Sequence, residues 1–194
     1  MRRIKSILAN HGKFLQFVAM LLALLAILLT FLFPVDEKGL LATGYFGVFI
    51  VTLLSAVSLL PGPSAVATFI AGGTLNPLLV SIIAGAGSSI GETTGYLAGY
   101  GSHGVIDNLG TGPDWLKKSA FYKTFVANVV KWMSQSPFIT IFLIAAIPNF
   151  FVDVAGIIAG RAKYSFIKFF IAMLLGKIVR FAMGAYLGAW FIQR

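Results

Sequence analysis

Ile147-Pro148-Asn149-Phe150-Phe151-Val152-Asp153-Val154-Ala155-Gly156 decides how this chain is read, because it sets a helix breaker and a carboxylate inside an otherwise apolar run. Proline removes a backbone donor and clashes with the preceding turn, so a helix breaks near Pro148 and leaves peptide groups that lipid cannot satisfy. Such backbone persists only when buried in protein or lining a wet cavity. Asp153, five residues past the proline, then reads as an interior functional group, since an ionisable side chain at membrane depth seldom faces lipid. The plainer reading is a Pro-kinked helix that ends at the membrane surface, with Asp153 as a solvated cap.

The rest of the composition agrees with a lipid setting. Of 194 residues, 58% are hydrophobic and 11% charged, and the mean hydropathy is +0.91, well outside the soluble globular range. The expected class is an all-α integral membrane protein, one compact helical bundle without a soluble domain. A net charge of +9 would suggest nucleic acid in a soluble protein. Here the basic residues flank apolar segments, where they orient the chain and meet anionic lipid headgroups, so no nucleic-acid partner is expected. There is no cysteine, and His11 and His103 lie far apart, which argues against a metal centre or other cofactor. With no paired His, no Ser-His set and no acidic cluster beyond Glu92 and Asp153, an enzyme is not expected.

Residues 1–39 form a basic tail and an anchor. Arg2, Arg3, Lys5 and Lys13 precede an uncharged run from Phe14 to Phe33, which reaches about 30 Å as helix. A signal peptide fits less well, because the run is long and Thr30-Phe31-Leu32-Phe33-Pro34 offers no small-residue cleavage site. The tail places the N-terminus in the cytoplasm of a multi-pass protein of the cell membrane. Residues 41–73 then read as a re-entrant hairpin entering from outside, with Pro61, Gly62 and Pro63 at its tip, since the return limb is too short to span. One full span to Leu60 followed by a loop fits the same residues.

The next span is 76–100. In it Ser81, Gly85, Ser88, Glu92, Gly95 and Gly99 fall at alternating steps of four and three, a stripe of small residues that lets another backbone approach and turns Glu92 inward. Residues 101–135 form a cytoplasmic link, in which Pro113 to Met133 reads as an amphipathic helix on the inner membrane surface. A calmodulin-like peptide target is the alternative. Its apolar face carries Trp115, Tyr122, Val126, Val129 and Met133, and its polar face Lys117, Thr124, Asn128 and Lys131. Residues 136–161 make the second hairpin, entering from the cytoplasm with Pro148 and Asn149 at its tip. The last span, 164–192, holds Lys177 and Arg180 near its middle and on one face, too deep for comfortable snorkelling.

The two hairpin-plus-span units point in opposite directions, and Gly72 aligns with Gly160 at an offset of 88 (160 less 72) that also places Glu92 on Arg180. Inverted repeats with broken helices are the layout of many secondary transporters, whose site lies near the midplane. Glu92, Asp153, Lys177 and Arg180 are therefore the candidate pathway residues. They form either a structural ion-pair cluster or a site in which Lys177 or Arg180 exchanges its carboxylate for an anionic headgroup. In the second case a half-helix beginning near Pro148 would help bind the anion, and the carboxylates could carry a coupling proton.

Pro148-Asn149-Phe150-Phe151-Val152-Asp153, Gly91-Glu92-Thr93-Thr94-Gly95-Tyr96-Leu97-Ala98-Gly99 and Pro61-Gly62-Pro63, in this order, resemble the VTT domain of the DedA superfamily, also called SNARE-associated Golgi proteins, over roughly residues 40–192. The resemblance implies two opposed re-entrant hairpins and movement of lipids between leaflets. Bacterial members look like polyprenyl-phosphate translocases and eukaryotic members like phospholipid scramblases. Glu92 takes the acidic position ahead of the Gly-Tyr pair, and Pro148 the proline of the second hairpin. Where typical bacterial members have arginines three residues either side of that proline, this chain has Ala145 and Phe151, and Pro63 stands where they have an acid. The chain is thus nearer the scramblase-like branch, unless Lys177 and Arg180 replace those arginines. The expected function is a lipid translocase or scramblase acting on phospholipid or polyprenyl phosphate. A proton-coupled exporter of a small solute and a non-transporting membrane scaffold, which docks partners on the Pro113 to Met133 helix, are the alternatives. The oligomeric state stays open.

Overall fold

The structure, a computed structural model, describes residues 37–57, 61–101, 120–147 and 152–194. The expected anchor from Phe14 to Phe33, both histidines, Pro148 and Asn149 lie outside the described residues. Every described element is a helix: α1 (Glu37–Val57), α2 (Pro61–Thr74), α3 (Pro77–Gly101), α4 (Ala120–Gln135), α5 (Pro137–Ala146), α6 (Val152–Arg161) and α7 (Phe166–Ile192).

Local chemistry sets the boundaries. Asn76 caps α3: its Oδ1 accepts the Leu78 and Leu79 N–H groups at 3.0 and 3.2 Å, and Pro77 opens the helix where a missing donor costs nothing. Pro137 plays the same part for α5. Pro61 and Gly62 lie at the start of a helix, α2. The α6 C-terminus closes with Lys163 N–H donating to the Gly160 carbonyl and Tyr164 N–H to the Ala159 carbonyl, both at 3.0 Å. This paired closure needs a left-handed residue, and Lys163 supplies it at φ 52. In α1, Gly44 at φ 57 and ψ −135 kinks the helix, which only a residue without Cβ does cheaply.

Contacts fix how the helices run. Gly87 packs on Phe49 and Gly91 on Leu53, so α1 and α3 are parallel. Gly95 lies against Asp153 and Gly99 against Ile157, so α6 also runs parallel to α3. Gly184 against Thr68 and Gln193 against Gly73 align α7 with α2. The two long helices, in contrast, meet in descending order: Gly85 with Ile178, Glu92 with Lys177, Tyr96 with Phe169. They are antiparallel, and each is clasped by a short helix from the other half of the chain.

The seats of these clasps match. Gly72 sits on the backbone of Ala185 and Gly160 on that of Tyr96; Gly188 sits on the Phe69 carbonyl and Gly99 on that of Ile157. Gly72 and Gly160, like Phe69 and Ile157, are 88 positions apart. On the outer limbs, a methyl group on Gly87 would lie 2.5 Å from the Phe49 carbonyl and one on Gly176 2.5 Å from that of Phe142. Small residues are needed wherever backbone meets backbone.

Small and polar groups fill the interior, and large apolar ones cover the outside. Ser81, Ser88, Ser89 and Glu92 are buried on α3, whereas Ile167, Ile171, Leu175, Val179 and Met183 form an exposed stripe along α7. In water such a continuous apolar stripe is an association hazard; in lipid it is the favoured solvent-facing surface. Among the described residues, even so, no helix is long and apolar enough to cross a membrane. The expected spans 76–100 and 164–192 correspond to α3 and α7, which have the length, about 38 and 40 Å at helical rise. They fall short in apolarity because α3 is rich in Gly and Ser around Glu92, and α7 carries Lys168, Lys177 and Arg180.

The link helix differs from expectation in its use. Val126, Val129 and Met133 are buried as one face, while Thr124, Asn128 and Lys131 are exposed. That apolar face joins the core formed with Ile141, Ile144, Ile158 and Phe169. It is spent on α5 and α6 rather than on a membrane surface or a partner peptide.

Candidate functional site

At the crossing of α3 and α7, between the core around Phe169 and Met173 and the core around Val80 and Phe181, the structure gathers charge. Lys177 Nζ donates to Glu92 Oε1 at 2.7 Å, and each side chain is 4% exposed. The stripe of small residues brings this about: Gly85 lets the Ile178 backbone close in, so the long side chains of Glu92 and Lys177 can reach each other across the crossing. Asp153 stands beside Glu92 and within electrostatic reach of Lys177. Arg180, half-buried, is in turn within reach of both carboxylates. All four residues singled out from sequence therefore meet in one place.

Two details differ from the sequence reading. The offset that aligns Glu92 with Arg180 relates the halves, but the bond to Glu92 comes from Lys177, three residues earlier. The half-helix begins at Val152, and its first turn already holds Asp153. An acid there is favoured by the helix dipole. Of the expected tip residues, Pro61, Gly62 and Pro63 sit in the first turn of α2. The break before α6 is real: α5 ends at Ala146, and Ile147 is extended at φ −86, ψ 134.

Sequence reasoning missed Ser89. It is fully buried, one turn before Glu92, and its hydroxyl, like Glu92 Oε2, has no hydrogen-bond partner. The Ser88-Ser89 pair within a glycine-rich helix was the available signal. It also missed Tyr96, which packs on Phe166 and Phe169 at centroid distances of 5.5 and 4.9 Å. Its hydroxyl donates to the Tyr164 carbonyl at 2.6 Å, tying α3 to the turn before α7.

No group of three His, Cys, Asp or Glu that could hold a metal ion occurs among the described residues. A groove lies elsewhere among the described residues. About 570 Å³ between α4 and α5 is lined by Trp132, Ile139, Thr140, Leu143 and Ile147, and it shares no residue with the charge cluster.

Among known proteins, the chain is similar to the vacuole membrane protein KMS1 of Arabidopsis thaliana, with 29% identity over 112 aligned residues, 52% of this chain and 26% of the relative. The chain thus spans about a quarter of that protein's length. No solved structure matches. The family model for the VTT domain matches residues 60–190, from the start of α2 nearly to the end of α7, and takes in all four charged residues of the cluster. With an apolar exterior of this kind, the match marks a membrane-associated protein of DedA type, and the chain belongs to the VTT domain family.

Proposed function

We propose that the protein moves lipids between the leaflets of a membrane, with the headgroup passing the cluster of Glu92, Asp153, Lys177 and Arg180 while the tails stay in the bilayer. The observation that carries this reading is the placement of two acids and two bases together where antiparallel α3 and α7 cross, inside a molecule whose outer surface is apolar. Charges at such depth are costly and tolerated chiefly in function or in mutual neutralisation. The antiparallel long helices and their exchanged short partners support an inverted repeat, and the end of α5 at Ala146, with Ile147 extended, supports a re-entrant second hairpin. The family match, and a relative named for a vacuole membrane, support the membrane setting. We place the chain in the cell membrane with its N-terminus cytoplasmic, from the basic tail. No bond is made or broken in this scheme, and the protein is not an enzyme.

The test is a flipping assay with the purified chain in liposomes carrying a fluorescent phospholipid or a polyprenyl phosphate. Acceleration of either lipid, slowed at least tenfold by Arg180→Ala, is the expected result. Failure to move both would favour the scaffold reading. The neighbouring carboxylates Glu92 and Asp153 favour one second reading, proton-coupled export of a small solute, in which solute flux collapses with the pH gradient and lipid movement is absent.

A further inference from the structure

The groove between α4 and α5 takes no part in the charge cluster, and its walls divide by chemistry. At about 570 Å³ it has the size of a ligand pocket. Its length is apolar. Ile139, Leu143 and Ile147 recur every fourth residue and form one exposed row down α5. Thr140, which also lines the groove, already donates its hydroxyl to the Ser136 carbonyl at 2.9 Å. Among the described residues, nothing along that row asks for a hydrogen bond.

One end is different. Trp132, Gln135 and Ser136 line the groove where α4 gives way to α5. Lys131, exposed, stands one turn before Gln135 on the same face of α4. Indole, amide, hydroxyl and ammonium can all donate, and the Ser136 hydroxyl is not spent on capping α5. The acids of the described residues lie elsewhere: Glu92 is bound to Lys177, Asp153 stands beside Glu92, and Glu37 opens α1, which packs on α2 and α3. A positive, donor-rich end fits an anion, and the apolar length that continues from it fits a hydrocarbon chain. The ten residues of α5 rise about 15 Å, half of a hydrocarbon core roughly 30 Å thick. The row therefore matches the depth of one leaflet.

We propose that this groove holds one acyl chain of a resident anionic phospholipid, its tail along Ile139, Leu143 and Ile147 and its phosphate at Lys131, Gln135 and Ser136. Trp132 suits such a place, since its indole belongs at the level of the headgroups. The tail ends against Ile147, the last described residue before α6, and so props the second hairpin from outside. This lipid is a fixed part of the fold rather than the one moved past the cluster. It needs only a membrane around the chain, so a scaffold would carry it as readily as a translocase.

The experiment mixes the full chain in detergent with equal amounts of phosphatidylglycerol and phosphatidylcholine of identical tails, washes it, and measures the retained lipid by mass spectrometry. Phosphatidylglycerol is expected to be retained about fivefold over phosphatidylcholine, the enrichment that one lysine gives at a membrane surface. Lys131→Gln brings the ratio close to one. Leu143→Trp fills the groove from an exposed position and lowers the total retained, whereas Leu175→Trp, on the exposed stripe of α7, does not. A second readout leaves the groove unaltered. With Trp115→Phe and Trp190→Phe, phosphatidylglycerol with brominated tails quenches Trp132 to a plateau, and unlabelled phosphatidylglycerol reverses it. Equal retention of the two lipids, or quenching that climbs without a plateau as bulk contact gives, overturns the proposal. Retention by Leu143→Trp equal to the wild type also overturns it and leaves the groove to a protein segment. None of these measurements reads lipid movement, so each failure leaves the proposed function standing.

Discussion

Lys177 and Glu92 meet at 2.7 Å across the crossing of two antiparallel helices, in a setting where neither side chain is more than 4% exposed. A buried ion pair is held as much by the penalty for breaking it as by its own attraction. Lys177→Met leaves the buried Glu92 carboxylate without its ion-pair partner, and a loss of about 3–5 kcal/mol is expected. The double variant Glu92→Leu with Lys177→Met removes both charges and recovers most of that loss. Thermal unfolding in detergent measures both, and a double variant as unstable as the single one would refute the argument.

The glycine seats separate by distance. Gly160 and Gly188 have a facing backbone carbonyl where a Cβ would go, whereas a methyl on Gly95 meets only the Asp153 carbonyl at 3.7 Å, an ordinary contact. Gly160→Ala and Gly188→Ala should each cost about 1–3 kcal/mol through overpacking. Gly95→Ala should be neutral or gain up to ~1 kcal/mol from helix propensity. Comparing the three melting temperatures checks the order.

Lys163 holds a left-handed conformation that an L side chain adopts at a cost of roughly 1–2 kcal/mol. Its closure of α6 uses only backbone groups. Lys163→Gly is therefore expected to raise stability by about 1 kcal/mol, read as a higher unfolding temperature with lipid movement unchanged.

Tyr96→Phe keeps the ring contacts with Phe166 and Phe169 and deletes one hydrogen bond, to the Tyr164 carbonyl. About 1 kcal/mol should be lost. A larger loss would mean that the phenol anchors the turn before α7 more than a single bond implies.

Much of this was legible in the chain because lipid-adapted helices expose their logic as spacing. The steps of four and three from Ser81 to Gly99 turned Glu92 inward, and the three-residue gap from Lys177 to Arg180 put both on one face. The helix bounds followed from Asn76-Pro77, Ser136-Pro137 and the interruption after Ile147. Which base bonds which acid was not legible, since symmetry between halves favours Arg180 while the close approach at Gly85 delivers Lys177. The destination of the α4 apolar face was hidden for a related reason. Periodicity reveals that a face is apolar, and only the packed neighbours Ile141, Ile144 and Ile158 reveal what covers it. The Ser88-Ser89 pair among glycines could have marked the position, but that the Ser89 hydroxyl goes unpartnered was not legible, because an unmade hydrogen bond leaves no pattern.

Each long helix holds a short helix that the opposite half of the chain supplies, α6 on α3 and α2 on α7. Neither half can therefore reach its final form by itself, and synthesis of the first must leave α2 waiting until α7 emerges. A polypeptide severed between Gly101 and Ala120 should still assemble if both fragments are made together. Either fragment made separately would keep two glycine-lined faces bare and be handed to proteolysis.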